Sequence, residues 1–368
     1  MIRILHMTPP IVNNGVYKYI FSNLRHIDKS KFEFAFLTQA NADLKNTAEY
    51  KEYGFNIHNF TKTQRENPEK FRQEIADILS SGYDVLQLHT SFWRGFLIEE
   101  IAMELGLPKV IVHSHSSNID IADESKRAKM LQEHMWFKEK FNMSYATDFW
   151  ACSNMAADWL FGAQIDRNKI RVMRNAIDVE QYVYNETIRR EYRKMFNLEG
   201  KFVIGNTCRF EYQKNHEFLV RVFTKVHEKY SDTVLVLVGG GQKLPQIKQM
   251  VKEFGIADSV RFLSWRDDIA QLLQAMDLYC LPSLFEGLPI VLIEAQSADL
   301  PCIVSDTITG EAKITGKVRY VDLEEERWIH AIEESMDSHK RCDVSEVIQA
   351  SGFDIRHQIK ILEEEYEN

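Results

Sequence analysis

Glu286 and Glu294 are the residues of this chain best placed to do chemistry together. Glu286 follows the short apolar run Leu278–Leu281, which reads as a buried strand. It stands in a turn with Gly287, Leu288 and Pro289, and Pro289 suits the first position of a helix, where its missing N–H is not needed. Glu294 then falls about 1.5 turns into that helix, about 9 Å along its axis. It is the only charge in the apolar segment running to Ala298. Carboxylates so separated would not flank one bond. They could hold two ends of an elongated ligand, with an anion between them at the helix N-terminus. Glutamates at this spacing are also common on ordinary surface helices, but a charge amid so apolar a segment needs a partner.

Two cations come next. Arg209 ends the first strand of the second half, and Lys214 stands just before a helix. Such a pair suits a diphosphate. The plainer alternative is an Arg209–Glu211 surface pair and a solvated lysine. Gly239, Gly240 and Gly241 lie between a strand and a helix, where they allow either close approach to a ligand or a tight turn. They do not form G-x-G-x-x-G, so the dinucleotide fingerprint is absent. Asn13, Asn14 and Gly15 occupy the first strand-to-helix loop, whose N–H groups either face an anion or form a plain cap. His113 and His115 share one side of a strand end, a spacing that suggests zinc. No third ligand is evident in the sequence nearby, so no metal is expected, and a single histidine facing the ligand is the better functional reading. A satisfied structural histidine is the alternative.

Elements of two kinds must position these residues. Short apolar runs alternate with amphipathic stretches through both halves, the βαβα pattern of parallel sheets with helices on both faces. Strands are expected at Ile2–His6, Phe32–Leu37, Val85–His89, Val110–His113 and Phe149–Cys152, then at Lys201–Asn206, Val234–Val238, Val260–Leu263, Leu278–Leu281 and Cys302–Val304. The expected fold class is α/β, two Rossmann-like doubly wound domains facing a central cleft, with ligands at the strand carboxyl ends. The polar stretch from Asn175 to Glu191 reads as turn-rich and carries the boundary, giving domains of 1–180 and 181–351. A helix at about 352–368, with Phe353, Ile355, Ile359 and Leu362 on one side, is a candidate to pack back onto the first domain.

Composition narrows the class. A chain of 368 residues suits two domains. A net charge of −9 argues against general nucleic-acid binding. Five scattered cysteines without C-x-x-C fit reduced thiols, and no run approaches a membrane span. With a strand-like start and no visible leader, a cytoplasmic protein is expected. Lys126, Arg127, Lys129, Lys138 and Lys140, with Met130, Leu131, Met135, Trp136 and Phe137, make a basic helix with a bulky apolar side. It could rest on an anionic membrane surface; a core helix with a solvated face is the expected reading.

The order of these signals resembles the retaining nucleotide-sugar glycosyltransferases of family 4, of the GT-B class, and among them the bacterial members that build capsular polysaccharides and exopolysaccharides. The matching residues are Cys152-Ser153-Asn154, Arg174-Asn175-Ala176-Ile177-Asp178, Arg209 with Lys214-Asn215, Asp267-Asp268, Ala275-Met276-Asp277, Pro282-Ser283, and Glu286-Gly287-Leu288-Pro289 with Glu294-Ala295. The resemblance implies that Glu286 holds donor-sugar hydroxyls, helped by the N–H groups of Gly287 and Leu288. Glu294 would accept from the ribose, and Arg209 and Lys214 would bind the diphosphate. His115 would lie by the transferring sugar, Asn14 and Gly15 would close on the diphosphate, and Arg266 sits where backbone contacts often hold the base. The resemblance further implies hexosyl transfer, most commonly from a UDP-sugar, to a saccharide, lipid-linked in many relatives, at the inner membrane face. No cofactor or metal is implied. Three positions depart from the family pattern: Asn14 and Asp299 stand where glycine is usual, and Cys208 precedes Arg209 in place of glycine. A catalytically silent nucleotide-sugar-binding or scaffolding subunit with the same fold is the alternative.

Overall fold

The computed structural model describes residues 1–8, 14–39, 44–337 and 340–368. The chain divides into two compact units, one of 1–119 with 123–176 and 355–368, the other of 120–122 with 177–354.

Unit 1 runs β1 (Ile2–Met7), α1 (Gly15–His26), β2 (Phe32–Gln39), α2 (Ala48–Tyr53), β3 (Asn56–Phe60), α3 (Pro68–Leu79), β4 (Val85–Thr90), α4 (Leu97–Glu104), β5 (Lys109–Ser114), α5 (Glu124–Lys140), β6 (Asp148–Ala151), α6 (Asn154–Leu160) and β7 (Ile170–Val172). Among the described residues these strands form one sheet in the order β3-β2-β1-β4-β5-β6-β7, every pair parallel. The central strands are covered on both faces, which is why they read as continuous apolar runs. Strand order reverses between β1 and β4, so the loops after them diverge and leave room at the carboxyl ends.

Unit 2 runs α7 (Glu186–Met195), β8 (Phe202–Asn206), α8 (His216–Lys229), β9 (Thr233–Val238), α9 (Leu244–Glu253), β10 (Val260–Leu263), α10 (Ile269–Ala275), β11 (Leu278–Leu281), α11 (Ile290–Ser297), β12 (Cys302–Ser305), β13 (Val318–Val321), α12 (Glu325–Glu334) and α13 (Ser345–Ala350). Its sheet has the order β10-β9-β8-β11-β12-β13, again all parallel, with the reversal between β8 and β11. Phe218, Phe223 and Val226 of α8 and Trp328 and Ile332 of α12 pack on the strands in one core.

The last helix, α14 (Ile355–Glu367), belongs to unit 1. Its Ile359, Leu362 and Tyr366 join a core with Phe32, Phe34 and Trp150, and the Tyr366 hydroxyl donates to Gln87 Oε1 at 2.5 Å.

Several elements differ from the sequence expectation. β3, β7 and β13 are short and lie at sheet edges, where one side needs no apolar cover. The stretch read as turn-rich up to Glu191 already contains the start of α7. That helix has no buried residue and is held by charge instead. Arg193 Nη1 lies 3.0 Å from Asp277 Oδ2, and Arg189 pairs with Asp277 Oδ1. Asp277 Oδ2 also accepts from Val203 N at 2.7 Å. The same arginines donate to the carbonyls of Gln274, Ala275 and Met276, the orphan acceptors at the end of α10. Pro289 is the cap of α11 and not its first helical residue: its ψ of 96° is extended, and its carbonyl accepts from Leu292 N at 3.0 Å. Asp299, at φ 51°, closes that helix where glycine is commonest. The unfavourable acid is offset by Lys317 Nζ and Cys342 N, each 2.7 Å from its Oδ2.

Asp277 therefore joins α7, β8 and the end of α10. Asp277→Ala should destabilise the protein by about 2–3 kcal/mol, because it leaves two part-buried guanidinium groups without their anion. Urea denaturation checks this, and a loss below about 0.5 kcal/mol would contradict it.

Candidate functional site

The sequence-predicted residues of unit 2 gather at its strand-order reversal. β8 ends at Asn206 and β11 at Leu281, on neighbouring parallel strands. The Asn206 amide donates to Cys280 O at 2.8 Å, and its Oδ1 lies 3.1 Å from His216 Nε2. Burial pushes the His216 imidazole down to about 3, with Lys214 adding to the effect. The ring is therefore neutral, donates from Nε2, and stacks on Phe210 with centroids 4.2 Å apart. These contacts fix the start of α8 beneath the loop of residues 207–215.

That loop and the one after β11 hold each other. Leu284 N donates to Gln213 O at 2.8 Å, and Gln213 Nε2 donates to Phe285 O at 2.7 Å and to Glu286 Oε2 at 3.0 Å. Lys214 Nζ pairs directly with Glu286 Oε1, with side chains only 12% and 7% exposed. Burial is the largest influence on Lys214 and pulls its ammonium down; Glu286 beside it raises it, and the net shift is upward. Glu286 is thus a buried, charge-paired carboxylate at the entrance to α11, with Gly287 and Leu288 between it and the cap. Glu294 is 3% exposed within α11 and accepts from the Tyr182 hydroxyl at 3.2 Å.

Arg209 does not pair with Glu211. Its Nη2 lies 3.6 Å from Asp120 Oδ2, and Asp120 Oδ1 accepts from Gln213 N at 2.9 Å. Glu211 Oε1 instead accepts from Gln242 N at 3.2 Å. The three glycines serve the chain itself: Gly239 and Gly241 have φ of 139° and 150°, and a Cβ on either would stand 2.5 Å from the carbonyl oxygen of Cys208 or Phe210. The 208–210 backbone takes the close approach that the sequence left open to a ligand. Arg266 binds Asp268 through two bonds of 2.6 and 2.5 Å, and Tyr192 donates to the same carboxylate at 2.8 Å. Its side chain is committed, which leaves only its backbone for a base.

Asn14, Gly15 and His115 belong to unit 1. Asn14 caps α1, its Oδ1 accepting from Tyr17 N at 2.9 Å, and a Cβ on Gly15 would meet nothing within 4 Å. Asn13 lies outside the described residues. His115 follows β5, and its Nε2 is 2.8 Å from His89 Nδ1. His89, His113 and His115 place ligand nitrogens within 4.8 Å of one another. The third histidine that the sequence reading lacked is therefore His89, on the neighbouring strand. Its signal was a histidine closing an apolar run, as His113 does. Asp120 and Tyr182 left no comparable signal.

The basic helix is not a core helix. In α5 only His134 is fully buried, while Trp136 and Met135 are 51% and 42% exposed. Lys140 Nζ lies over the Trp136 ring, 3.6 Å from its centroid.

Two Rossmann-like units with all-parallel sheets define a GT-B protein, and solved structures agree. HepE of Anabaena in complex with UDP and glucose matches with a TM-score of 0.76 at 16% identity, over 100% of both chains. WaaG, a glycosyltransferase involved in lipopolysaccharide biosynthesis, matches with a TM-score of 0.70 at 14% identity, over 98% of this chain and 95% of that one. Residues 188–336 match the family "Glycosyl transferases group 1", so the chain carries a group 1 glycosyltransferase domain that holds Arg209, Lys214, Arg266, Glu286 and Glu294. Over 98% of its length the chain is 28% identical to a Bacillus subtilis (strain 168) protein whose name describes it as a glycosyltransferase, EpsF, covering 95% of that protein. It is 29% identical over 61% of its length to the Escherichia coli UDP-Gal:alpha-D-GlcNAc-diphosphoundecaprenol alpha-1,3-galactosyltransferase, covering 58% of that enzyme.

The Lys214–Glu286 pair sets a stability test. Lys214→Met should cost about 3–5 kcal/mol by leaving a buried carboxylate unpaired, and Lys214→Met/Glu286→Leu should recover most of it. Chemical denaturation of both variants reads the difference; equal losses would show that the charges do not depend on each other.

Proposed function

We propose that the chain transfers a hexosyl group from a UDP-sugar to a lipid-linked saccharide, with retention at the anomeric carbon, in assembly of a cell-surface polysaccharide. The observation that carries this reading is the buried Lys214–Glu286 pair at the strand-order reversal of unit 2. Cation, carboxylate and helix N-terminus stand together there, as a molecule with a diphosphate at one end and sugar hydroxyls at the other requires. The donor and acceptor named for the Escherichia coli relative and the UDP and glucose bound by HepE support the choice of substrates.

In this reading donor binding exchanges one ion pair for two sets of contacts. The diphosphate takes Lys214 and Arg209, and the sugar hydroxyls donate to Glu286 beside the N–H groups of Gly287 and Leu288. Glu294 receives the ribose hydroxyls, with Tyr182 holding its other side. The bond from the anomeric carbon to the diphosphate oxygen breaks as the acceptor oxygen bonds to that carbon. The acceptor proton passes to the departing oxygen on the same face. Negative charge grows on the leaving group, and fixed cations with the N-terminus of α11 stabilise it without a divalent metal. His115, Asn14 and Gly15 are read as sugar and diphosphate contacts by resemblance alone. Exposed Trp136 among lysines on α5 suits an anionic bilayer surface, where the lipid-linked acceptor resides.

Two experiments test these statements. Glu286→Ala should lower transfer at least about 10³-fold and Arg209→Ala should weaken UDP binding about 10–100-fold, read by release of UDP from a panel of UDP-sugars and by calorimetry. Full activity in both variants would remove the site assignment. Lys126→Glu/Lys129→Glu/Trp136→Ser should reduce co-sedimentation with anionic vesicles at least about tenfold, and neutral vesicles should not bind the parent protein. Equal binding of parent and variant would remove α5 as the contact.

A further inference from the structure

Each of the two cations read as diphosphate contacts already faces a carboxylate. Lys214 pairs with Glu286. Arg209 faces Asp120, its Nη2 3.6 Å from Asp120 Oδ2, with side chains 25% and 26% exposed. The other oxygen, Asp120 Oδ1, accepts from Gln213 N at 2.9 Å. One carboxylate thus meets a guanidinium on one oxygen and a backbone N–H on the other. Guanidinium and backbone N–H groups are also the usual partners of phosphate oxygens.

Both partners are set in place by contacts that do not involve Asp120. Gln213 Nε2 donates to Phe285 O and Glu286 Oε2, and Gln213 O accepts from Leu284 N. The Gln213 N–H therefore keeps its direction if Asp120 moves away. Arg209 lies on backbone fixed by the bond from Phe210 N to Gly240 O at 2.9 Å. Asp120 itself sits in a short excursion of the chain. Residues 120–122 belong to unit 2, although residues 119 and 123 belong to unit 1. Ile119 is 1% exposed, and Asp123 caps α5, its Oδ1 accepting from Lys126 N at 2.9 Å. The excursion is thus anchored on both sides, and little chain has to move for the carboxylate to leave.

We propose that Asp120 is an internal stand-in for a phosphate group: it fills the anion position made by Arg209 and the Gln213 N–H while no donor is bound, and a phosphate of the donor takes that position by displacing it. Three physical points carry this. Gln213 N–H serves one acceptor at a time with good geometry, so Asp120 and a phosphate oxygen compete for it. At 3.6 Å the guanidinium contact exceeds hydrogen-bond length, and so exposed a pair adds little stability, so it can be exchanged. A diphosphate also carries more charge and more acceptor oxygens than a carboxylate. Donor binding then makes a second exchange beside the one at Lys214 and Glu286. Only the identity of the anion, the diphosphate of a nucleotide sugar, rests on the transferase reading; the competition itself is a property of Asp120, Arg209 and Gln213.

The test titrates the full chain with inorganic pyrophosphate and with UDP by calorimetry. Asp120→Ala should bind both about 5–30-fold more tightly than the parent protein. Asp120→Asn, which loses the charge but can still accept from Gln213 N, should gain less. Both gains should disappear when Arg209→Ala is added, because a general change in net charge would persist there and release of the Arg209 position would not. Equal affinities of parent and Asp120→Ala overturn the proposal, as do a gain that survives in Arg209→Ala and an absence of pyrophosphate binding by Asp120→Ala. A gain for pyrophosphate with no preference for UDP over pyrophosphate supports the stand-in role and removes the nucleotide-sugar reading.

Discussion

The Lys214–Glu286 pair ties together two loops that leave adjacent parallel strands in diverging directions. Isolated burial of either charge would be strongly unfavourable. Each therefore requires the other, and each loop keeps its path only while the other loop is present. Gln213 extends the tie through Phe285 O and Glu286, and its own N–H reaches Asp120, which also faces Arg209. The neutral His216–Asn206 contact beneath sets where α8 begins, and so where Lys214 stands. This carboxyl end of the sheet is thus assembled from polar groups that satisfy one another inside a protein, with little water to screen them.

Much of this was legible because its parts are local. A buried strand, a glycine turn, a proline and an apolar helix are consecutive in sequence, so Glu286 and Glu294 could be placed without knowing the topology. Lys214 and Arg209 follow the same strand–loop–helix logic. Asp120 and Tyr182 were not legible, because they reach the site from distant segments and their own surroundings carry no periodic signal. His89 was an intermediate case: it was visible as a strand-end histidine, but only the parallel register of β4 with β5 sets it against His113. The edge strands and α7 escaped for a different reason. Hydrophobic pattern reports burial, and these elements are held by hydrogen bonds or by Arg189 and Arg193 on Asp277.

Departures from the family pattern show how a backbone requirement is met by other means. Asp299 adopts a left-handed conformation usually left to glycine, and its carboxylate is held by Lys317 and the Cys342 N–H. Asn14 replaces glycine yet caps α1 through its side chain. At Asp299 the bonded carboxylate offsets the cost of a left-handed backbone, whereas Asn14, at φ −109°, is extended and meets no such requirement.

Residues 355–368 complete the core of unit 1, although that unit starts at residue 1, while almost all of unit 2 is a continuous stretch of chain. The order of synthesis therefore differs from the order of completion. Nearly all of unit 2 can emerge from the ribosome and close its sheet before Ile359, Leu362 and Tyr366 exist to cover Phe32, Phe34 and Trp150. Until then, that part of the first-made unit exposes apolar surface. Residues 355–368 act as a late closure of unit 1, so their loss would damage a unit whose other residues are made almost entirely before unit 2.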